Sequence, residues 1–217
     1  MLLLVLAPEP FSGSREVGVD VAGSGGGIDV FYAARRVGPT GKVIGLDMTP
    51  TMIERARQAA AKAGLGQVEF RLGQAEAMPV DDGSVDVILS NCVINLCEDK
   101  GQVFQEAFRV MRDGGRLMIS DVVSGGPLPM SVRGNAEQWG GCVNGALPER
   151  EYLDLIAQAG FQNIKPTRTE LGGEIEGVPV YSLYVSATKG QAAGSLPDEV
   201  VPLMVVPAAQ RASRCCG

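Results

Sequence analysis

The chain has 217 residues, 45% hydrophobic and 20% charged, which is enough for one sizeable core with at most one appended subdomain and too apolar for a disordered or fibrous protein. A net charge of −6 leaves no basic footprint for nucleic acid or an anionic membrane. There is no histidine, which excludes Ser-His-Asp triads, Cys-His nucleophile pairs, HExxH zinc sites and facial His/carboxylate iron sites, and points to a reaction needing little acid–base help.

The start, Met1 to Ala7, is apolar but short and has no basic leader. It reads as a buried strand or a ragged start rather than a signal or a membrane span, and no other stretch could cross a bilayer. Val17, Val19 and Val21 alternate as a strand does and run into Gly23-Ser24-Gly25-Gly26-Gly27. Val30, Phe31, Ala33, Ala34 and Val37 form a helical stripe stopped by Gly38-Pro39, and Lys42 to Asp47 reads as a buried strand. Thr49-Pro50 offers an N-cap and a first-turn proline to a helix carrying Ile53, Ala56, Ala60 and Ala63, with Gly64 as its left-handed cap. Two strands follow, Val68 to Leu72 and Val85 to Asn91. Val103, Phe104, Ala107, Phe108 and Met111 then make a helical stripe ended by Gly114-Gly115, and Arg116 to Val123 is a further strand. Such alternation predicts a doubly wound α/β fold, its sheet mostly parallel, with helices on both faces.

Beyond Val123 the periodicity lapses. Residues 124–147, with the only tryptophan, Trp139, read as a loop with a short helix, capping the sheet. Tyr152, Leu155, Ile156 and Ala159 give a helix ending at Gly160, and strands near 163–169 and 180–188 form an antiparallel pair at the sheet edge. Residues 190–217 read as a flexible tail. The expected organisation is one domain over 1–189, with a cofactor-binding core at 15–123 and a substrate cap with edge strands at 124–189. Five cysteines, Cys92, Cys97, Cys142, Cys215 and Cys216, are odd in number and irregular in spacing, which fits reduced thiols in a cytoplasmic protein.

Ligands of doubly wound sheets bind beyond the carboxyl ends of the strands. The glycine cluster falls there, and Asp47 follows Gly27 by 20 residues, the spacing at which an acidic residue accepts from ribose hydroxyls. The run is G-x-G-x-G, with Ile28 where a dinucleotide fingerprint has its last glycine. That favours an adenosine cofactor without phosphates, of which S-adenosylmethionine is the common one.

The segment GSGGGIDVFYAARRVGPTGKVIGLDMTPTMIERAR resembles the first part of class I methyltransferases, particularly arsenite methyltransferases. So do SVDVILSNCVINL with VFQEAFRVMRDGGRLMISDVV, and WGGCVNGALPEREYLDLIAQAGF. The likeness covers roughly residues 15–189. It implies a Rossmann-like sheet of seven strands with an antiparallel edge strand, S-adenosyl-L-methionine as cofactor, trivalent arsenic as substrate, and a glutathione or thioredoxin-type thiol reductant as partner. By match, Gly23, Ser24, Gly25 and Gly27 would line the methionine moiety, Asp47 hold the ribose, Met48 pack on adenine, Gln74 and Ala75 meet the adenine edge, and Asn91 border the methionine end. Cys92 and Cys142 match the family's arsenic-binding cysteines. Arsenic(III) on thiolates keeps a lone pair that can attack a sulfonium methyl directly, so no general base is required.

The chain departs from the family in four places. Relatives carry a longer N-terminal segment with a third cysteine, so a small thiol or the tail would supply the third arsenic ligand here. Asp20 stands one residue off the family's acidic position, Gln74 replaces a commoner aspartate, and Cys97 replaces a small polar residue and receives no role. Two other readings stay open: a small-molecule C- or O-methyltransferase, indifferent to loss of the Cys92 thiol, and a non-catalytic binder of thiophilic metalloids, which would not bind the cofactor. A nicotinamide dehydrogenase is disfavoured by Ile28.

Overall fold

A computed structural model describes residues 2–6, 28–37, 40–133 and 143–190. In chain order these form β1 (Leu2–Leu6), α1 (Ile28–Val37), β2 (Lys42–Asp47), α2 (Pro50–Lys62), β3 (Val68–Leu72), β4 (Val85–Asn91), a 3-10 turn (Ile94–Leu96), α3 (Lys100–Val110), β5 (Met111–Ser124), α4 (Met130–Arg133), α5 (Glu149–Gln158), β6 (Gln162–Ile175) and β7 (Val178–Thr188). The seven strands make one sheet in the order β3-β2-β1-β4-β5-β7-β6.

The sheet is buried on both faces because successive side chains point opposite ways. Ile44, Leu46, Ile88 and Ile119 meet Val103, Phe104 and Ala107 of α3 and Tyr152 and Ile156 of α5. Val43, Val87, Leu89 and Phe70 meet Val30, Ala33 and Ala34 of α1 and Ile53, Ala56 and Ala60 of α2. β4 is buried almost throughout, as its run of valine, isoleucine and leucine requires. Gly64 takes φ +67 behind α2, the left-handed cap expected there.

Five strands share one direction; β1 and β7 run against it. β7 lies antiparallel to both β5 and β6, which is the expected edge pair. β1 is the surprise in topology. The short apolar start is a strand, and it lies antiparallel between β2 and β4 with Leu4 opposite Ile44 on one side and Ile88 on the other. The strand expected over Val17 to Val21 lies outside the described residues, as do Trp139 and the tail from residue 191.

Other elements differ in detail. Met111 leaves the helical stripe and begins β5, and α3 stops at Val110. Gly114 follows at φ +80 and donates its N–H to Lys189 O at 2.7 Å, so the two glycines turn within a strand rather than ending a helix. Thr49 stands at the N-cap of α2 without a side-chain cap bond; its own N–H donates to Asp47 Oδ1 at 2.8 Å. Among the described residues no helix is long and apolar enough to cross a membrane.

Candidate active site

The site is assembled at the carboxyl ends of β2, β3 and β4. Asp47 closes β2, half-buried, with one carboxylate oxygen accepting from Thr49 N–H. Its carbonyl accepts from Gly73 N–H at 3.0 Å, so the loop after β3 starts beside the end of β2. A side chain at Gly73 would lie 2.9 Å from Pro79 Cδ and 3.1 Å from Leu46 Cδ1, which shows how closely that loop folds over the strand end. Met48 is 67% exposed and Leu72 52%, two large apolar side chains left open at one edge of the sheet. Gln74 is exposed and bridges to Ala77; Ala75 is buried.

The helix that follows the glycine cluster also opens at this edge. Val37 lies against Gly41 and Val30 against Gly45, so α1 runs back along β2 and its first turn stands near the carboxyl end. The candidates Gly23, Ser24, Gly25 and Gly27, together with Asp20 and Cys142, lie outside the described residues.

Asn91 ends β4, half-buried, and Cys92 follows with φ +53. A non-glycine residue in the left-handed region costs on the order of 1 kcal/mol and persists only where its surroundings hold it. Here they do. Cys92 N–H donates to Ser120 O at 2.8 Å, and Asn95, buried in the turn, donates Nδ2 to Val122 O at 2.7 Å. Lys100 Nζ donates to Asn95 O at 3.3 Å and Cys97 O at 3.1 Å, and burial holds its ammonium below the usual lysine range. Glu98 N–H donates to Glu76 Oε1 at 3.1 Å, joining this turn to the loop after β3.

On the far side of the turn, Gly145 lies against the Asn95 backbone so closely that a Cβ there would overlap the carbonyl oxygen and sit 2.8 Å from its carbon. The segment is held in addition by Ser124 N–H donating to Leu147 O at 3.0 Å. Beneath the turn is a buried acid: Asp121, in β5, accepts from Tyr152 Oη at 2.7 Å, and both are fully buried. Burial, then the Asp121 carboxylate, pushes the Tyr152 phenol well above its ordinary value, so it remains a donor. Cys97 is half-buried, its thiol pushed up to about 11 by burial and then by Glu76, with Sγ 3.6 Å from Val93 O. That environment is a packed thiol rather than a reactive one.

The fold thus brings six of the predicted residues, Asp47, Met48, Gln74, Ala75, Asn91 and Cys92, to one edge of the sheet. Asn95, Lys100, Gly145 and the Asp121–Tyr152 pair were not expected. Asp121 had a signal, an acidic residue inside the apolar run LMISDVV, and Gly145 sits in a segment singled out without a reason for the glycine.

Residues 18–160 match the methyltransferase-domain family. The arsenite methyltransferase of Halobacterium salinarum is 48% identical over 143 residues, 66% of this chain and 37% of that protein. The human arsenite methyltransferase is 39% identical over 148 residues, 64% of this chain and 40% of that one. The crystal structure of an arsenic(III) S-adenosylmethionine methyltransferase from Chlamydomonas reinhardtii superposes with a TM-score of 0.68 at 32% identity, covering 89% of this chain and 70% of that chain. The chain spans less than half the length of the curated relatives it matches.

Proposed function

The chain belongs to the arsenite methyltransferase family of S-adenosylmethionine-dependent methyltransferases, and from that premise we propose that it methylates trivalent arsenic held by Cys92 and Cys142. When bound, the cofactor supplies an electrophilic methyl group on a sulfonium. The donor set at the strand ends suits it. Asp47 accepts from ribose hydroxyls and would repel a phosphate ester, while Met48 and Leu72 offer an apolar ledge to a flat ring. Gln74 and Ala75 border the adenine edge, Asn91 the methionine end, and Gly23, Ser24, Gly25 and Gly27 line the methionine moiety.

Cys92 and Cys142 bind the arsenic as thiolates and present its lone pair to the methyl group. No proton has to move in that step, which suits a chain without histidine. Catalysis is then positioning of two reactants. The transfer raises arsenic from the trivalent to the pentavalent level and leaves the cofactor as a neutral thioether. Two arsenic-bound thiolates then leave as a disulfide, which returns arsenic to the trivalent level, and a glutathione or thioredoxin-type reductant reduces that disulfide.

One observation carries this reading: the contact between Gly145 and Asn95. It sets the segment that begins after Cys142 in the chain against the turn that begins with Cys92. The test is incubation with arsenite, glutathione and S-adenosylmethionine, followed by chromatographic speciation. Methylated arsenic is expected from the native chain and none from Cys92→Ser, which should still bind the cofactor in a calorimeter. Unmethylated arsenic alone at high enzyme concentration would overturn the proposal, and full activity of Cys92→Ser would point to a C- or O-methyltransferase.

A further inference from the structure

The loop between β3 and β4, residues 73–84, has only the Gln74–Ala77 bridge as internal strand-like pairing among the described residues. Backbone groups in such a loop still need partners; α3 supplies several of them, and Arg71 Nη1 from β3 donates to Pro79 O at 2.6 Å. Glu106 Oε2 accepts from Met78 N–H at 2.8 Å. Arg109 donates Nη2 to Met78 O and Nη1 to Val80 O, each at 3.0 Å, and pairs with Asp82. The same stretch of main chain takes up the end of the loop, with Gly83 N–H donating to Arg109 O at 3.0 Å and Ser84 N–H to Val110 O at 2.8 Å. Three residues apart, Glu106 and Arg109 share one helix face and join through two bonds of 2.7 Å. Glu106 is only 13% exposed, so this is a charge-assisted, partly desolvated pair rather than a solvated surface one. The Asp82 contact, 79% exposed, adds little.

The opposite face of α3 buries Val103, Phe104 and Ala107 in the core. The loop is therefore fixed to a helix packed into the core, and its first anchor, Met78, lies three residues beyond Ala75. Taking Gln74 and Ala75 as the adenine-edge residues, as the proposed function does, we infer that Glu106 and Arg109 are positioning residues for the cofactor: they set the height of the adenine-edge loop over the sheet without touching the cofactor. α3 supplies this through the motif QEAFRV, in which the acid and the arginine stand three apart on the solvent side of the amphipathic stripe.

The test compares Arg109→Met, which keeps length and helix propensity while removing the donors, with Glu106→Gln, which keeps an acceptor for Met78 N–H. Hydrogen exchange of the unliganded protein should rise at least tenfold at amides 76–78 and 80–82 in Arg109→Met while β4 keeps its protection. The Kd and KM for S-adenosylmethionine should rise about tenfold, with kcat at saturating cofactor within about twofold of native, and Glu106→Gln should fall between. Faster loop exchange with unchanged Kd, or a fall in kcat at unchanged KM, would overturn the inference. Should Arg109→Met fail to fold, Glu106→Gln alone decides by the same split. A native chain that binds no S-adenosylmethionine would instead strike the functional reading beneath it.

Discussion

Replacing Gly145 by alanine should do the opposite of what the backbone alone dictates. Its φ does not lie in the left-handed region, so removing a glycine would by itself stabilise the fold by about 0.4–1 kcal/mol through the unfolded chain. The added Cβ, however, would overlap the Asn95 carbonyl, and backbone must move by on the order of 1.5 Å to restore ordinary contact. Asn95 cannot retreat, being buried and bonded to Val122 O and Lys100 Nζ. The strain falls on the segment 143–147, whose Ala146 is packed with Leu128, Ile175 and Val180. Overpacking of this kind costs about 1–3 kcal/mol, enough to reverse the sign. A shift of that size in the segment leading back to Cys142 should lower arsenic methylation roughly a hundredfold, whereas cofactor affinity, whose proposed contacts include no residue of 143–147, should not change. Urea unfolding, calorimetry with S-adenosylmethionine and arsenic speciation read the three quantities separately. A Gly145→Ala protein as stable as the native one, or more so, with native methylation, would show that this contact does not hold the segment.

With the Cys97 thiol at about 11, roughly one molecule in a thousand carries its thiolate at pH 8. Iodoacetamide should then label Cys97 about a hundredfold more slowly in the native protein than after denaturation, as followed by peptide mass mapping; equal rates would refute the burial argument. Hydrogen bonds from Arg71 and then Lys42 hold the Glu69 carboxyl at about 2, below its ordinary 4.5. Its stabilising contribution is therefore complete above 4.5, shrinks as pH falls and vanishes near 2. Glu69 is 38% exposed, so the effect is screened, less than about 1 kcal/mol. Glu69→Gln should flatten the acid limb of stability in urea melts between those two pH values and do so less at high salt; an unchanged limb would refute the coupling.

The elements that were legible in the sequence are those fixed by local periodicity. The stripe Ile53, Ala56, Ala60 and the glycine after it needed no tertiary information, and the same holds for Lys42 to Asp47 and its closing acid. Strand direction was not legible. Leu2 to Leu6 is apolar throughout, and such a run pairs equally well either way, so only its neighbours decide that it lies reversed between β2 and β4. Nor was the end of α3: Met111 continues the helical stripe, and what draws it into β5 is its pairing with Val85, a partner 26 positions away in the chain. At the site, residue types that could carry chemistry stood out, whereas those that hold them in place did not. Arginine on a helix reads as a solvated face until the carbonyls of residues 78 and 80 are found beneath it.

Those holding residues converge on one element. α3 begins with Lys100, which fastens the turn after Cys92, and ends its last turn with Arg109, which fastens the loop after Ala75. They stand nine positions apart, about 13–14 Å of helix, and the buried face between is core. Under the proposed function, one of these loops meets the cofactor and the other carries a thiolate that holds the metalloid. A transfer that needs no base gains its rate from geometry alone. In such an enzyme the spacing of the two reactants is the catalytic quantity, and α3 is an element bonded through charged side chains to both loops.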